Sequence, residues 1–221
     1  MNLTLARILS FLGHPLLILT YVLLLLLAVN PYAFSARSMT DQRAMLLLIS
    51  VFTTTFLLPG FGVALLKPLG FIQSLEMESK QERIGPYIIT GIFYLWLFKN
   101  LFSGTQVPSL FGVCVLGATI GLFFAFFINI FTKISAHATG MGGLVAMVLL
   151  ATVEWRGFGL ALPVFGGALQ LSLTVILAFT LLFAGLIGTA RLALKAHVPA
   201  DLYRGYAAGF AAVMIAEVLL R

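Results

Sequence analysis

Long apolar runs separated by short polar stretches cover almost the whole chain. The runs span about residues 8–29, 44–66, 86–98, 110–131, 133–153, 169–190 and 202–220. A helix that crosses a bilayer needs roughly 20 mainly apolar residues. The pattern therefore predicts an all-α fold: a polytopic membrane helical bundle with six core transmembrane helices and a possible seventh, forming a single integral-membrane domain over residues 1–221.

Two stretches depart from this pattern. Residues 67–85 place apolar side chains on one side and charges on the other, which predicts a short helix lying at the membrane interface. Residues 157–167, which include Pro163, are predicted to form a loop or an irregular half-span. The first apolar run is too long for the core of a signal peptide and no small-residue cleavage pattern follows it, so we expect a retained span.

The composition supports a membrane protein and excludes other classes. With 61% hydrophobic and 9% charged residues, the chain has too few polar residues to cover a soluble core. The formal charge of +6 is typical of basic loops at an anionic membrane surface. Nucleic-acid binding is not expected, because the basic residues are scattered over short loops. Cys114 is the only cysteine, so the chain cannot form an internal disulfide.

The candidate chemistry centres on the stretch RLALKAHVPAD, which lies between the last two apolar runs. Pro199 suits the first turn of a helix, so the last helix is predicted to start near Val198, with His197 just outside it and Asp201 in its opening turn. An imidazole between the Asp201 carboxylate and the Arg191 guanidinium can act as a nucleophile towards phosphorus, because the carboxylate fixes its tautomer and the cation neutralises the attacked group.

Counting spans brings other polar residues to the same face of the membrane as this stretch. An even number of crossings separates the three polar segments, and the N-terminus shares their side. The residues placed on that face are Lys80, Arg83, Lys133, Ser135, His137, Arg191, Lys195, His197 and Asp201. Only Asp201 is an acid near a histidine in sequence, so a carboxylate-held dinuclear metal centre is not expected. The combination predicts a metal-independent site for an anion such as a phosphate.

Purely structural roles also fit several of these residues. His137 alone fits a packing histidine at a helix start, and Lys80 and Arg83 fit a solvated charge run. His14 lies one turn inside the first apolar run, where an ionisable group is a candidate functional residue, but we favour a neutral histidine bonded to a helix carbonyl near the interface.

These residues resemble the motifs of the type 2 phosphatidic acid phosphatase family of membrane lipid phosphatases. Arg191, His197 and Asp201 match the third motif of that family in residue type and in both spacings, with Ala190 in place of its serine and a glycine at 205. The segment Ser135-Ala136-His137 resembles the second motif. Lys80, Arg83 and Pro86 resemble the first more loosely, since the lysine is three rather than seven residues from the arginine. The resemblance covers about residues 80–209.

The resemblance implies a role for each matched residue. His197 would attack the phosphoryl group to form a phosphohistidine, with Asp201 orienting it, and His137 would protonate the leaving group and then activate water. The phosphate would be bound by Arg83, Arg191, Lys80 and Ser135. The implied activity is metal-independent and needs no cofactor. The implied substrate is a lipid phosphate or a prenyl diphosphate, and phosphatidic acid, phosphatidylglycerol phosphate and undecaprenyl diphosphate all fit.

The resemblance also implies a membrane face for the site, and two rival functions fit the sequence. Following the family, the site is expected on the extracytoplasmic face of a cell membrane, although basic residues outside the candidate motifs divide almost evenly between the two faces. The altered first and second motifs also fit a catalytically inactive relative that binds anionic lipid or supports a complex. A transporter of small anions is the third class, but it should have ionisable residues at mid-span, where this sequence has almost none.

Overall fold

The structure, a computed structural model, describes residues 1–74, 77, 79–102, 107–164 and 167–221, apart from the side chains of residues 102 and 163. The described part contains nine α-helices and one β-hairpin. The helices are α1 (Leu3–Leu12), α2 (Ile18–Val29), α3 (Gln42–Phe52), α4 (Leu58–Leu66), α5 (Ile84–Phe102), α6 (Ser109–Phe131), α7 (Ala136–Glu154), α8 (Leu173–Ala193) and α9 (Pro199–Leu220). The strands are β1 (Gly159–Val164) and β2 (Gly167–Ser172).

Six helical segments in the described chain are long and apolar enough to cross a membrane. Two of them join shorter helices, α1 with α2 over Leu3–Val29 and α3 with α4 over Gln42–Leu66, and the other four are α6, α7, α8 and α9. The remaining apolar run, at about residues 86–98, forms α5, which has 19 residues and packs along α6. The predicted all-α polytopic bundle is therefore confirmed, and the chain is a multi-pass membrane protein.

Helix α7 lies at the centre of the bundle, where it packs against α9, α8, α6 and α2. Its contact with α9 is close because small residues face each other. A Cβ atom at Gly142, Gly205 or Gly209 would collide with the backbone of the facing helix. Small residues allow helix backbones to approach closely in membranes, which increases van der Waals contact between them. The α7–α9 pair is thus the close-packed unit that carries the candidate site at one end.

The first span is broken at Gly13, His14 and Pro15. Pro15 has no N–H to donate and restricts His14 to an extended conformation, with φ −63° and ψ 129°. A short 3₁₀ turn, Pro15–Leu17, then leads into α2. The second span is also irregular, since residues Thr53–Leu57 form a π-helical turn between α3 and α4. Such turns insert a residue into a helix and are frequent at functional sites.

The predicted interfacial helix between residues 67 and 85 is wrong for the part of that stretch that the structure describes. Those residues form turns and bends, with one turn of 3₁₀ helix at Gln81–Arg83, and Leu75, Glu76 and Glu78 lie outside the described residues. The Glu82 carboxylate accepts hydrogen bonds from the backbone of Gln73 at 2.7 Å and of Ser79 at 3.2 Å. These bonds satisfy the backbone in a folded-back loop, and they also hold the pKa of Glu82 below its usual value.

The stretch predicted as a loop or half-span instead begins an antiparallel hairpin. Strands β1 and β2 pair in a register that runs from Gly159 opposite Ser172 to Val164 opposite Gly167. The sixth span consequently begins at Leu173, four residues later than predicted, with the Ser172 hydroxyl as its N-cap. The hairpin lies at the end of the bundle opposite the candidate site, because it connects the C-terminus of α7 to the N-terminus of α8.

Candidate active site

The central pair of the site is His197 and Asp201. Val198 is the N-cap of α9 and Pro199 occupies its first position, as predicted, so Asp201 lies in the first turn and its carboxylate points back towards His197. The distance from His197 Nδ1 to Asp201 Oδ2 is 3.3 Å, and both residues are buried, with 8% and 4% of their surface exposed. A carboxylate accepts hydrogen bonds, so Nδ1 carries the proton and Nε2 keeps its lone pair.

The surroundings of His197 favour its neutral form. Burial lowers the pKa of His197 to about 4, and the bond to Asp201 opposes this shift. The nearby positive charges of Arg191, Arg83 and Lys133 lower the pKa further. An unprotonated Nε2 in a cationic environment can attack an electrophile that carries negative charge, because the cations attract that electrophile and the nitrogen retains its electron pair.

Arg191 lies in the last turn of α8 and has an unpaired donor. One of its terminal nitrogens, Nη1, donates to the Ser10 hydroxyl at 3.3 Å. Its Nε is buried and has no hydrogen-bond partner among the described residues. An unsatisfied buried donor costs about 1–3 kcal/mol, more when it is charged. A guanidinium with a free Nε–H is suited to an oxyanion, which can satisfy two of its donors at once.

His137 lies in the first turn of α7 and contacts the same residue of α1. Its Nε2 is 3.0 Å from the Ser10 carbonyl oxygen. A carbonyl only accepts, so Nε2 is the donor and Nδ1 is the nitrogen available for proton transfer. The Ser10 carbonyl is free for this bond because the helix ends nearby, and the N–H of His14 donates to Phe11 instead. Ser10 therefore joins His137 and Arg191 through its carbonyl and its hydroxyl.

Ser135 connects the two halves of the site. It is fully buried and caps α7, where its hydroxyl accepts from the N–H of Ala138 at 3.3 Å. Its own N–H donates to the Asp201 carbonyl at 3.3 Å. The cap leaves the hydroxyl hydrogen available as a donor. Ser135 thus fixes the start of α7, which carries His137, against the start of α9, which carries Asp201.

Arg83 and Lys80 approach the site from the segment before α5. Arg83 donates from Nε to the Met77 carbonyl at 2.9 Å and from Nη1 to the Ile134 carbonyl at 3.3 Å. Lys80 lies further out, with its Nζ 3.2 Å from the carbonyl oxygen of Phe131. Arg83 is therefore held beside the turn that precedes Ser135, whereas Lys80 is anchored at the end of α6.

Comparison with protein-family models, with curated proteins and with solved structures finds no match for this chain. Its function must be argued from the site itself.

Sequence reasoning missed three contributors to this site. His14 was expected to bond to a helix carbonyl, but its Nδ1 accepts from the N–H of Leu16 at 3.4 Å, and its ring lies 5.6 Å from the ring of His137. Ser10 had no signal in the sequence, since its carbonyl becomes available only through the helix break. Arg204 lies one turn after Asp201, where its Nη1 is 3.6 Å from Asp201 Oδ1 and donates to the Thr132 hydroxyl at 2.9 Å.

Proposed function

We propose that this protein is a membrane-embedded, metal-independent phosphatase that hydrolyses a lipid phosphate or a prenyl diphosphate through a phosphohistidine intermediate. One observation carries the proposal. A neutral histidine, His197, keeps Nε2 free because its Nδ1 faces a buried carboxylate. The Arg191 guanidinium, whose buried Nε–H has no partner among the described residues, lies close enough to affect the charge of His197. The motif resemblance to type 2 phosphatidic acid phosphatases supports the same assignment.

In the first step, the lone pair of His197 Nε2 attacks phosphorus. The N–P bond forms while the bond from phosphorus to the leaving oxygen breaks. His137, protonated at Nδ1 once the negatively charged phosphate is bound beside it, donates that proton to the leaving oxygen. The imidazole becomes positively charged when it is phosphorylated. The buried Asp201 carboxylate, 3.3 Å from Nδ1, balances that charge and holds the ring in the reactive tautomer.

In the second step, a water molecule attacks phosphorus and the N–P bond breaks, which returns the electron pair to His197. His137, left neutral by the first step, accepts the proton of the attacking water and is ready for another cycle. Throughout both steps the equatorial oxygens carry negative charge. Arg191 and Arg83 supply fixed positive charge for them, and the Ser135 hydroxyl and Lys80 are further donors at the edge.

The position of the site at one end of an apolar bundle fits a lipid substrate. Its acyl or prenyl tail would lie among the helices, and its headgroup would enter at the cationic end. Apolar helix faces discriminate poorly between such tails, so the proposal extends to the class rather than to one lipid. We place this end of the bundle on the extracytoplasmic side of a cell membrane, as the family resemblance implies.

The experiment that tests the proposal is release of inorganic phosphate by the detergent-purified protein. The panel contains lipid monophosphates and prenyl diphosphates, each with and without EDTA. The variant is His197→Gln, and the matched control is Tyr203→Phe, since Tyr203 is exposed on the same helix. We expect release that survives EDTA, is lost in His197→Gln and is retained in Tyr203→Phe. A substrate labelled at phosphorus should also leave an acid-labile, base-stable label on the protein.

Two results would contradict the proposal. Equal activity of wild type and His197→Gln would show that another group is the nucleophile. No release from any substrate, with anionic lipid still bound, would favour the catalytically inactive lipid-binding relative.

A further inference from the structure

His14 is held in place by the break in the first span. The chain stops being helical at Gly13, and Pro15 enforces the extended conformation of the residue before it. His14 then caps the 3₁₀ turn through Nδ1, which accepts from the N–H of Leu16 at 3.4 Å. This bond fixes the ring of His14 relative to the backbone and leaves Nε2 as the protonated nitrogen of its neutral form. The position of the ring is therefore set by local structure.

A row of three aromatic rings, Phe52, Phe56 and His14, leads from the second span to His137. Phe52 and Phe56 are stacked with ring centres 5.3 Å apart, and Phe56 meets His14 edge to face at 6.2 Å. His14 in turn meets His137 edge to face, at 5.6 Å and 81°. These distances and angles lie in the range that aromatic pairs prefer. The π-helical turn Thr53–Leu57 contains Phe56 and so sets the direction of its ring.

The side chain of His137 makes one hydrogen bond among the described residues, from Nε2 to the Ser10 carbonyl. Together with the covalent Cβ–Cγ bond, this hydrogen bond holds the ring only loosely, because hydrogen-bond geometry is broad enough for the plane to tilt about Cβ–Cγ. The edge-to-face contact with His14 restricts that tilt. Tilt of the plane would move Nδ1, which the proposed mechanism uses for proton transfer, and general acid catalysis requires a donor within hydrogen-bond reach of the leaving oxygen.

We propose that His14 is a positioning residue for His137, and that its ring, at the end of the row Phe52–Phe56–His14, fixes the plane of the general acid. The inference rests on the proposed function. It assigns the role to the ring of His14 rather than to its nitrogen atoms, because Nδ1 is already used by the cap. Loss of the ring should therefore impair proton donation specifically, while loss of the cap should reduce stability without that impairment.

Two substitutions separate the ring from the cap. His14→Asn keeps a strong N-cap and removes the ring, whereas His14→Phe keeps a ring and removes the cap. Phosphate release is measured on two substrates for the wild type and both variants: an alkyl phosphate, whose leaving group needs a proton, and 4-nitrophenyl phosphate, whose leaving group departs as a stable anion. The readout is the ratio of kcat/KM for the two substrates. Thermal unfolding of each variant is recorded in the same detergent.

We expect His14→Asn to lose roughly 10- to 100-fold on the alkyl phosphate and to change little on 4-nitrophenyl phosphate, since only the first reaction depends on the acid. His14→Phe should keep the wild-type ratio and have a lower Tm. A merely structural role would lower both activities together. The wild-type ratio in His14→Asn, or the same loss of ratio in both variants, would overturn the inference.

A second measurement reports on the ring of His137 without any substrate. The chain has only three histidines, so a sample labelled at histidine Cε1 gives three NMR signals that single substitutions assign. The signal of His137 should broaden or split in His14→Asn and stay sharp in His14→Phe, and a sharp signal in both would count against positioning. A wild type that releases no phosphate from either substrate would contradict the proposed function, whereas an active wild type with an unchanged ratio in His14→Asn would contradict this inference alone.

Discussion

Replacing Gly205 with alanine should damage activity far more than stability. Gly205 faces α7 one turn after Asp201, and a Cβ atom there would lie 2.7 Å from Ala138 Cβ and 2.8 Å from the Ser135 carbonyl oxygen. Carbon atoms in contact prefer about 3.5–4.0 Å. Neither neighbour can rotate away, because one is a backbone atom and the other is the first side-chain carbon. Helices α7 and α9 must therefore separate by about 1 Å at the site.

The two effects on stability oppose each other and partly cancel. Overpacking costs about 1–3 kcal/mol, and alanine in place of glycine in a helix interior returns roughly 1 kcal/mol. The net loss is then at most about 2 kcal/mol. Activity has no such compensation. The bond from the Ser135 N–H to the Asp201 carbonyl, already 3.3 Å, would be broken, and His137 would move away from His197. A misplacement of about 1 Å can cost about 100-fold in rate.

The assay measures phosphate release and thermal unfolding on the same samples. Cys114 is the only cysteine and is fully buried, so a thiol-reactive fluorescent dye reports unfolding. The matched control is Gly185→Ala in α8, since a Cβ atom there has no neighbour within 4 Å. We expect full activity in the control and about a 100-fold loss in Gly205→Ala with a small change in Tm. Wild-type activity in Gly205→Ala would refute the reasoning.

Three further predictions concern the reacting groups. The pKa of His197 is about 4 in the folded chain, against a usual value of 6.5, so the unfolded state takes up the proton first on acidification. The free energy of unfolding should therefore fall between about pH 6.5 and pH 4. NMR titration of His197 near 6.5 in the folded protein would contradict this prediction. Asp201→Asn should lower kcat roughly 10- to 100-fold, since a charge-assisted bond is lost, and an unchanged kcat would count against its role. Arg191→Lys should lower kcat/KM about 100-fold, because the lysine ammonium lacks the planar fork that holds two phosphate oxygens in fixed geometry, and inhibition by inorganic phosphate should weaken in parallel.

The central pair of the site could be predicted from the sequence because its geometry is local. Pro199 sets the start of α9, and four residues separate His197 from Asp201, so a helix that starts at this proline brings the carboxylate back to the ring. The convergence of Arg83 with the turn before Ser135 could also be predicted, because α5 and α6 run in opposite directions and return the chain to the same end of the bundle.

The contributions of the first span could not be predicted in the same way. The signal for a helix break was present in Gly13-His14-Pro15, since proline restricts the residue before it. Where the freed carbonyl of Ser10 would point depends on how α1 packs against α8, and no local pattern records that packing. The interfacial helix failed for a related reason. The stretch does have an amphipathic pattern, but the backbone N–H groups of Gln73 and Ser79 donate to the Glu82 carboxylate and stabilise a folded-back chain instead.

The strands of the hairpin β1–β2 could not be predicted from the sequence, because each apolar segment is short. Six-residue runs such as Gly159–Val164 are too short for their periodicity to distinguish a strand from part of a helix. Pairing with a second apolar run, Gly167–Ser172, decided the outcome by satisfying the backbone of both.

The glycine contacts between α7 and α9 also determine how this sequence can diverge. Any side chain at Gly142, Gly205 or Gly209 meets the backbone of the facing helix, so substitution at these positions requires α7 and α9 to move apart. Lipid-facing positions such as Leu182 and Val218, which are 66% and 79% exposed, can exchange freely among apolar residues. Distant descendants of a common ancestor should therefore keep the glycine register and the spacing from His197 to Asp201 long after overall identity has been lost.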